Sequence, residues 1–465
     1  MQRVSTHVNP GCARRRALSR GARATGSACR SFCACYARCA RCAGVREASF
    51  ASPGPPRCTS GPAHCGPARR LGSLNPCRRH HAMTTTTYRY VFLGLSITSS
   101  WGNGHATTYR ALLRALASRG HRMLFLERNL PIYDQHRDLP NPPYGTTEQY
   151  SSITELRDRF SRAVREADLV IVGSFVPEGA TVGAWITEEA RGKAAFYDLD
   201  TPVTLGRLAH GDHAYLTPAL IPRYDLYLSA TGGPTLERLE RSHGAVRARA
   251  LYCSADTDVY HPQPAPMRWD LGYLGTYSDD RQAAVERLLL EPARRMRRGR
   301  FAVAGAQYPA SLAWPENVSR TEHLPPDEHR IFYNSQRFTL NLTRRAMVES
   351  GWSPSARLFE AAACGTPVLS DTWPGIETFF QPGEEILLVR SPEDVLRKLR
   401  EMKEDKRLTV GQRARQRVFA EHTAMHRAEA FERYTREVLE AASRTRARRE
   451  RDGQLTASQV ESQSG

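Results

Sequence analysis

The sequence predicts an α/β protein made of two halves, each a parallel sheet wrapped by helices, facing each other across a cleft. Three observations carry this. At 465 residues the chain exceeds what one hydrophobic core usually serves. Short β-branched or aromatic runs alternate with helical stretches throughout residues 83–442, which is the grammar of repeated strand-helix-strand units. Near the middle, Pro262-Gln-Pro264-Ala-Pro266 breaks that alternation, as a linker would, and sets the expected domains at residues 83–262 and 267–442.

The elements follow in order. Tyr90 to Leu95 reads as a buried strand, Gly102-Asn103-Gly104 as a loop, and His105 to Ser118 as a helix with Tyr109, Leu112, Leu113 and Leu116 at helical spacing. Gly120 ends that helix, and His121 to Glu127 makes the next strand. Residues Pro131 to Tyr150 hold too many prolines and polar groups for a regular element and read as a long loop beside the cleft. Further strands are expected at Asp168 to Gly173, Lys193 to Asp198, Tyr224 to Ser229 and Arg247 to Cys253. After the linker they resume at Leu271 to Thr276, Arg300 to Gly305, Phe338 to Leu342, Pro367 to Ser370 and Glu385 to Val389. Long helices close the second half near Ala442, and residues 443–465, rich in Arg, Glu, Ser and Gln, read as a solvated, disordered tail.

Composition limits the function classes. The mean hydropathy of −0.51 and 25% charged residues are those of a soluble globular protein. No run approaches the roughly 18 to 20 apolar residues that span a bilayer, so no transmembrane segment is expected. The net charge of +18 is concentrated in residues 1–82, where 15 Arg face a single acidic residue, Glu47. The remainder is only mildly basic, which argues against nucleic acid as a partner of the main body. Nine of the eleven cysteines also precede Met83, leaving Cys253 and Cys364, a usage that fits a reducing cytoplasm.

The first 82 residues lack the apolar periodicity of a zinc module and the apolar core of a secretory signal, and they read as a disordered Arg/Cys-rich extension. Upstream DNA read as protein, ahead of a start at Met83, explains their composition best.

The chemistry concentrates in Ser350-Gly-Trp-Ser-Pro-Ser-Ala-Arg-Leu-Phe-Glu-Ala-Ala-Ala-Cys-Gly-Thr-Pro-Val-Leu-Ser-Asp371. Ser353 followed by Pro354 predicts a helix that begins there and stops at Gly365. The free amides of its first turn suit a diphosphate. Arg357 and Glu360 share one face, so that Arg357 is suited to a phosphate and Glu360 to both hydroxyls of a ribose. An ordinary capped helix with a surface ion pair is the plainer alternative.

The run Leu358 to Val368, with Asp371 and Gly375-Ile-Glu377, resembles the C-terminal signature of GT-B nucleotide-sugar glycosyltransferases. More narrowly, Leu340-Asn-Leu-Thr-Arg344 ahead of Ser353-Pro-Ser-Ala-Arg-Leu-Phe-Glu360 resembles the CgeB-like (spore maturation protein) glycosyltransferases. Tyr197 to Pro202, Asp256 to Pro262 and Leu274 to Tyr277 fall where that family has similar strings. The resemblance implies the GT-B fold, two Rossmann-like domains across a cleft, and transfer of a hexose from a nucleotide-diphosphate sugar to a hydroxyl acceptor. It implies donor contacts from Tyr277, Arg281, Arg344, Ser353, Ser355, Arg357 and Glu360. One departure stands out: retaining members of the wider fold often carry a second glutamate eight positions before the first, and here that position is Trp352.

In the first half, Gly102, Asn103 and Gly104 are the counterpart loop, whose glycines allow close approach of backbone amides to the donor. His105, at the start of the following helix, is the candidate base, and Asp200, after the strand ending at Asp198, is a candidate catalytic or acceptor-binding acid. No metal pair is evident, and no cofactor is expected beyond the donor substrate, because cations and a helix end serve a departing diphosphate. The rival readings are a sugar-nucleotide epimerase of the same fold and a nucleotide-sugar-binding protein without turnover.

Overall fold

A computed structural model describes residues 86–463, with side chains through Arg444. The extension 1–82 lies outside the described residues.

The first domain is a seven-stranded, all-parallel sheet in the order β3-β2-β1-β4-β5-β6-β7. Its strands are β1 (Arg89–Gly94), β2 (Arg122–Arg128), β3 (Thr146–Tyr150), β4 (Leu169–Gly173), β5 (Lys193–Asp198), β6 (Leu226–Ser229) and β7 (Ala248–Ala250). The second domain is a six-stranded sheet in the order β10-β9-β8-β11-β12-β13. These are β8 (Trp269–Leu274), β9 (Phe301–Ala304), β10 (Val318–Thr321), β11 (Gln336–Asn341), β12 (Val368–Ser370) and β13 (Leu387–Leu388). Central strands such as Leu-Val-Ile-Val-Gly in β4 are buried along their whole length, because helices cover both faces of a parallel sheet. Two parallel-sheet α/β domains in one chain are the architecture the sequence predicts.

Strand order reverses direction between β1 and β4 in the first sheet and between β8 and β11 in the second. Loops after such neighbouring strands diverge and leave a crevice at the carboxyl ends, where α/β proteins bind ligands.

Three expectations need correction. Residues 131–150 are not all loop: Pro131–Asp134 is a short helix, and Thr146–Tyr150 is β3, paired to β2 in the register Leu124 to Thr146. Its sequence, Thr-Thr-Glu-Gln-Tyr, hides the strand because an edge strand has one solvated side and needs no apolar run. The edge strand β10, Val-Ser-Arg-Thr, escaped for the same reason.

The third correction concerns the C-terminus. The last helix runs from Ala424 to Gln463, through the segment expected as a tail, and its first turns do not belong to the second domain. Ala424, Ala428, Phe431 and Val438 are buried in the core of the first domain. The Phe431 ring lies 5.1 Å from that of Tyr90 and 5.8 Å from that of Phe92. Glu432 accepts a 2.7 Å hydrogen bond from His121 Nε2 and pairs with Arg119. Each large apolar side chain so buried contributes about 2 kcal/mol. The return of the chain therefore ties the two domains together a second time, beyond the linker.

Candidate active site

The loop after β1 is shaped by two buried polar side chains. Glu127, at the end of β2, accepts from the amides of Ile97 at 2.7 Å and Thr98 at 3.2 Å, and from Arg137 at 2.8 Å. Asn103 donates to the carbonyls of Ser96 at 2.9 Å and Ser99 at 3.1 Å, and its Oδ1 receives the amide of His105 at 3.1 Å. The Asn103 side chain is thus engaged inside the loop, where it positions the turn at the edge of the cleft. Gly102 sits at φ +58°, a conformation in which a side chain would be strained.

This turn delivers His105 to the start of the helix His105–Ser118. Its Nε2 lies 2.8 Å from Oδ2 of Asp200, which precedes the helix Thr201–Ala209. The two side chains are 13% and 18% exposed, enough to meet the cleft. Sequence reading named both separately, and the fold joins them into a pair. The other imidazole nitrogen, Nδ1, is enclosed and has no hydrogen-bond partner among the described residues.

Two carboxylates at the end of β5 are driven apart by their surroundings. Burial pushes Asp198 up to about 6, against hydrogen bonds from Tyr227 at 2.6 Å and Thr204 at 2.8 Å. Burial also works to raise Asp200. The hydrogen bond and charge of His105, with Arg344 and Arg281 farther off, outweigh it and hold the carboxyl below its usual range.

The opposite wall comes from the second domain. The helix there runs Ala356–Ala363, with Ser355 as the residue before it, and no side chain caps its first turn. This corrects the expected start at Ser353. The Ser353 hydroxyl instead lies 2.8 Å from that of Thr231 in the first domain, and the Ser355 hydroxyl donates to Asn341 Oδ1 at 2.7 Å. Gly365 follows the helix at φ +75°, as a helix stop should.

Arg357 is packed over the Tyr273 ring at 4.9 Å, donates to Asn341 Oδ1 at 2.8 Å and also donates to the Leu274 carbonyl. One turn deeper, Glu360 is 4% exposed and accepts from the Tyr333 hydroxyl at 2.9 Å. Burial pushes its carboxyl above the usual range, against the pull of Tyr333 and Arg357. Arg344 leaves the end of β11 and pairs with Asp280 at 3.2 Å, and Arg281 donates to the Thr276 carbonyl. Tyr277 directs its hydroxyl to Asp279 at 2.6 Å and packs on Tyr308.

All of the sequence-predicted site residues, Gly102 and Gly104 included, line one cavity of about 570 Å³ between the two sheets. Tyr333, Thr107, Phe175, His323 and Gln307 line it too and were missed, although Phe175 lies two residues after the expected strand β4 and could have been found on that ground. Trp352 is not among the lining residues. It adopts φ +41° with its indole between Gly233 of the first domain and Gly375 of the second, where an added Cβ would approach it to 2.5 Å. Its carbonyl accepts the amide of Gly232 at 3.0 Å. The position of the absent glutamate is therefore an interdomain contact. Among the described residues no cluster of three or more His, Cys, Asp or Glu forms a metal site, and no helix is long and apolar enough to cross a membrane.

Residues 281–433 match the family described as Glycosyl transferase-like. A sucrose-phosphate synthase from Thermosynechococcus elongatus superposes with a TM-score of 0.57 at 16% identity, covering 76% of this chain and 100% of that one. The Anabaena protein HepE, in complex with UDP and glucose, gives 0.57 at 12% identity over 75% of this chain and 100% of its own. An alpha-glucosyltransferase in complex with UDP-glucose and DNA containing an abasic site gives 0.58 at 12% identity, with 75% and 100% covered. No curated protein matches the sequence. The chain has the GT-B fold, and its residues 281–433 are similar to the glycosyl transferase-like family.

Proposed function

We propose that the protein transfers a hexose from a nucleotide-diphosphate sugar to a hydroxyl acceptor, in the manner of the CgeB-like glycosyltransferases that its motifs resemble. The observation that carries this reading is the convergence of Arg281, Arg344, Arg357, Glu360 and the uncapped first turn of the helix Ala356–Ala363 on one interdomain cavity. Three guanidinium groups and a helix end supply the positive field a diphosphate needs as it departs, in place of a metal or other cofactor. Glu360, held by Tyr333, is the acceptor for ribose hydroxyls. UDP in two of the similar solved structures makes UDP-sugars the first donors to try.

In the reaction the acceptor oxygen forms a bond to the anomeric carbon. The bond from that carbon to the diphosphate oxygen breaks, and its electron pair leaves with the diphosphate. The hydroxyl proton passes to the His105–Asp200 pair, whose Asp200 carboxylate reaches the cavity while His105 Nε2 holds it. We place the protein in the cytoplasm, a setting supported by the two cysteines among the described residues, Cys253 and Cys364, being unpaired.

A thermal-shift screen of nucleoside diphosphates and their sugars tests the reading. One nucleotide and its sugar should raise the unfolding temperature, by mass action on the folded state. Absence of any shift across the panel would overturn it, and product formed without an acceptor would favour an epimerase.

A further inference from the structure

The charges that line the cavity are divided by domain. All three arginines, Arg281, Arg344 and Arg357, belong to the second domain. Among the described residues of the first-domain wall, the lining side chains include no Lys or Arg, and the charged pair there is His105–Asp200. An acceptor on this side meets no Lys or Arg from its own wall, and one bearing a phosphate would face Asp200.

What this wall does offer is an aromatic face. Phe175 follows β4 and sits at φ +62°, a left-handed conformation that a bulky residue rarely adopts and that glycine or asparagine would take with less strain. The ring meets His105 edge-on, with 5.8 Å between centroids, beside the His105–Asp200 pair. Behind it stand the Tyr215 ring at 4.7 Å and the Arg207 guanidinium at 5.4 Å. Tyr215 is fastened in turn, its hydroxyl 2.9 Å from that of Thr204, which bonds Asp198. Arg207 pairs with Asp212 at 2.7 Å. Buttressed from behind and only partly buried, the ring offers an apolar face to the cavity beside the His105–Asp200 pair.

Resting on the glycosyl-transfer reading, we propose that Phe175 is the acceptor platform and that the acceptor presents an uncharged pyranose ring. The apolar C–H face of the sugar lies on Phe175, and one of its hydroxyls reaches the His105–Asp200 pair. Phosphorylated sugars and nucleic acid find no Lys or Arg among the lining residues of this wall and would meet the Asp200 carboxylate.

The test uses the full chain and separates the two layers of the argument. Binding of UDP, GDP, ADP, CDP and TDP by calorimetry comes first. If none binds, the glycosyl-transfer reading fails whatever the acceptor result. With the nucleotide that binds held at saturation, methyl pyranosides, their 6-phosphates, p-nitrophenol and single-stranded DNA are compared by saturation-transfer NMR. A neutral methyl pyranoside should bind most tightly. Phe175→Gly, which suits the positive φ, should weaken it by about tenfold, the size of a lost ring contact. Phe175→Tyr should restore it, and nucleotide affinity should be unchanged in both variants. Nucleotide binding combined with preference for a phosphorylated sugar, phenol or DNA would overturn the proposal, as would pyranoside affinity that is absent or indifferent to Phe175→Gly.

Discussion

The two walls of the cavity solve different problems with different materials. The second-domain wall is cationic, with Arg357 locked by Asn341 Oδ1, the Leu274 carbonyl and the Tyr273 ring. The first-domain wall has one acid-imidazole pair on a loop that Glu127 and Asn103 hold from within. A diphosphate needs several fixed positive charges that do not titrate, which arginine supplies. An acceptor hydroxyl needs one site able to take a proton and release it, which the His105–Asp200 pair supplies. The contrast assigns donor and acceptor to opposite walls, and it can be broken.

Asp200→Asn should have the largest effect. The amide cannot take a proton from the acceptor, so turnover should fall by on the order of 10² to 10⁴, while nucleotide affinity stays within about twofold. Steady-state nucleotide release set against calorimetric binding reads the two separately. Loss of both together would erase the distinction between the walls.

The next effect sharpens the picture of the first wall. Asp198, with its carboxyl raised to about 6, binds its proton more tightly in the folded than in the unfolded chain. The stability this contributes is complete below about pH 4 and is lost as pH rises through about 6, a change of roughly 3 kcal/mol. Urea unfolding from pH 4 to 7 should therefore show Asp198→Asn gaining on the wild type by that order as pH increases. A constant difference between the two proteins would mean that Asp198 does not titrate in this window. Asp200, lowered by His105, acts in the opposite sense, its stabilisation being lost as pH falls through its depressed folded value.

The smallest effect is expected on the second wall. Glu360→Ala should weaken nucleotide binding by about 1 to 3 kcal/mol through lost hydroxyl contacts. Glu360→Gln, able to accept the Tyr333 hydrogen bond, should recover part of it. Nucleotide affinity that ignores both changes would remove Glu360 from the donor site.

Much of this was legible in the residues. The helix His105–Ser118 and strand β5 fall where periodicity placed them, because buried central elements carry strong apolar patterns. Strands β3 and β10 were illegible because a polar edge strand is specified by its neighbour, not by its own side chains. Ser353 looked like a helix cap because Ser-Pro is locally the best start. Its hydroxyl is claimed instead by Thr231, 122 residues away, and a long-range partner leaves no local trace.

By itself the sequence determined the α/β alternation, the break at the linker and the chemical identities at the ends of the strands, since these depend on local propensity and on period. Only the tertiary structure decided that His105 and Asp200, separated by 95 residues, form a pair. The same is true of Trp352, which locks the domains instead of facing the sugar, and of the C-terminal helix, which returns to the first domain. Those outcomes depend on which surfaces are left to be buried once the sheets exist, and that is a property of the packed molecule.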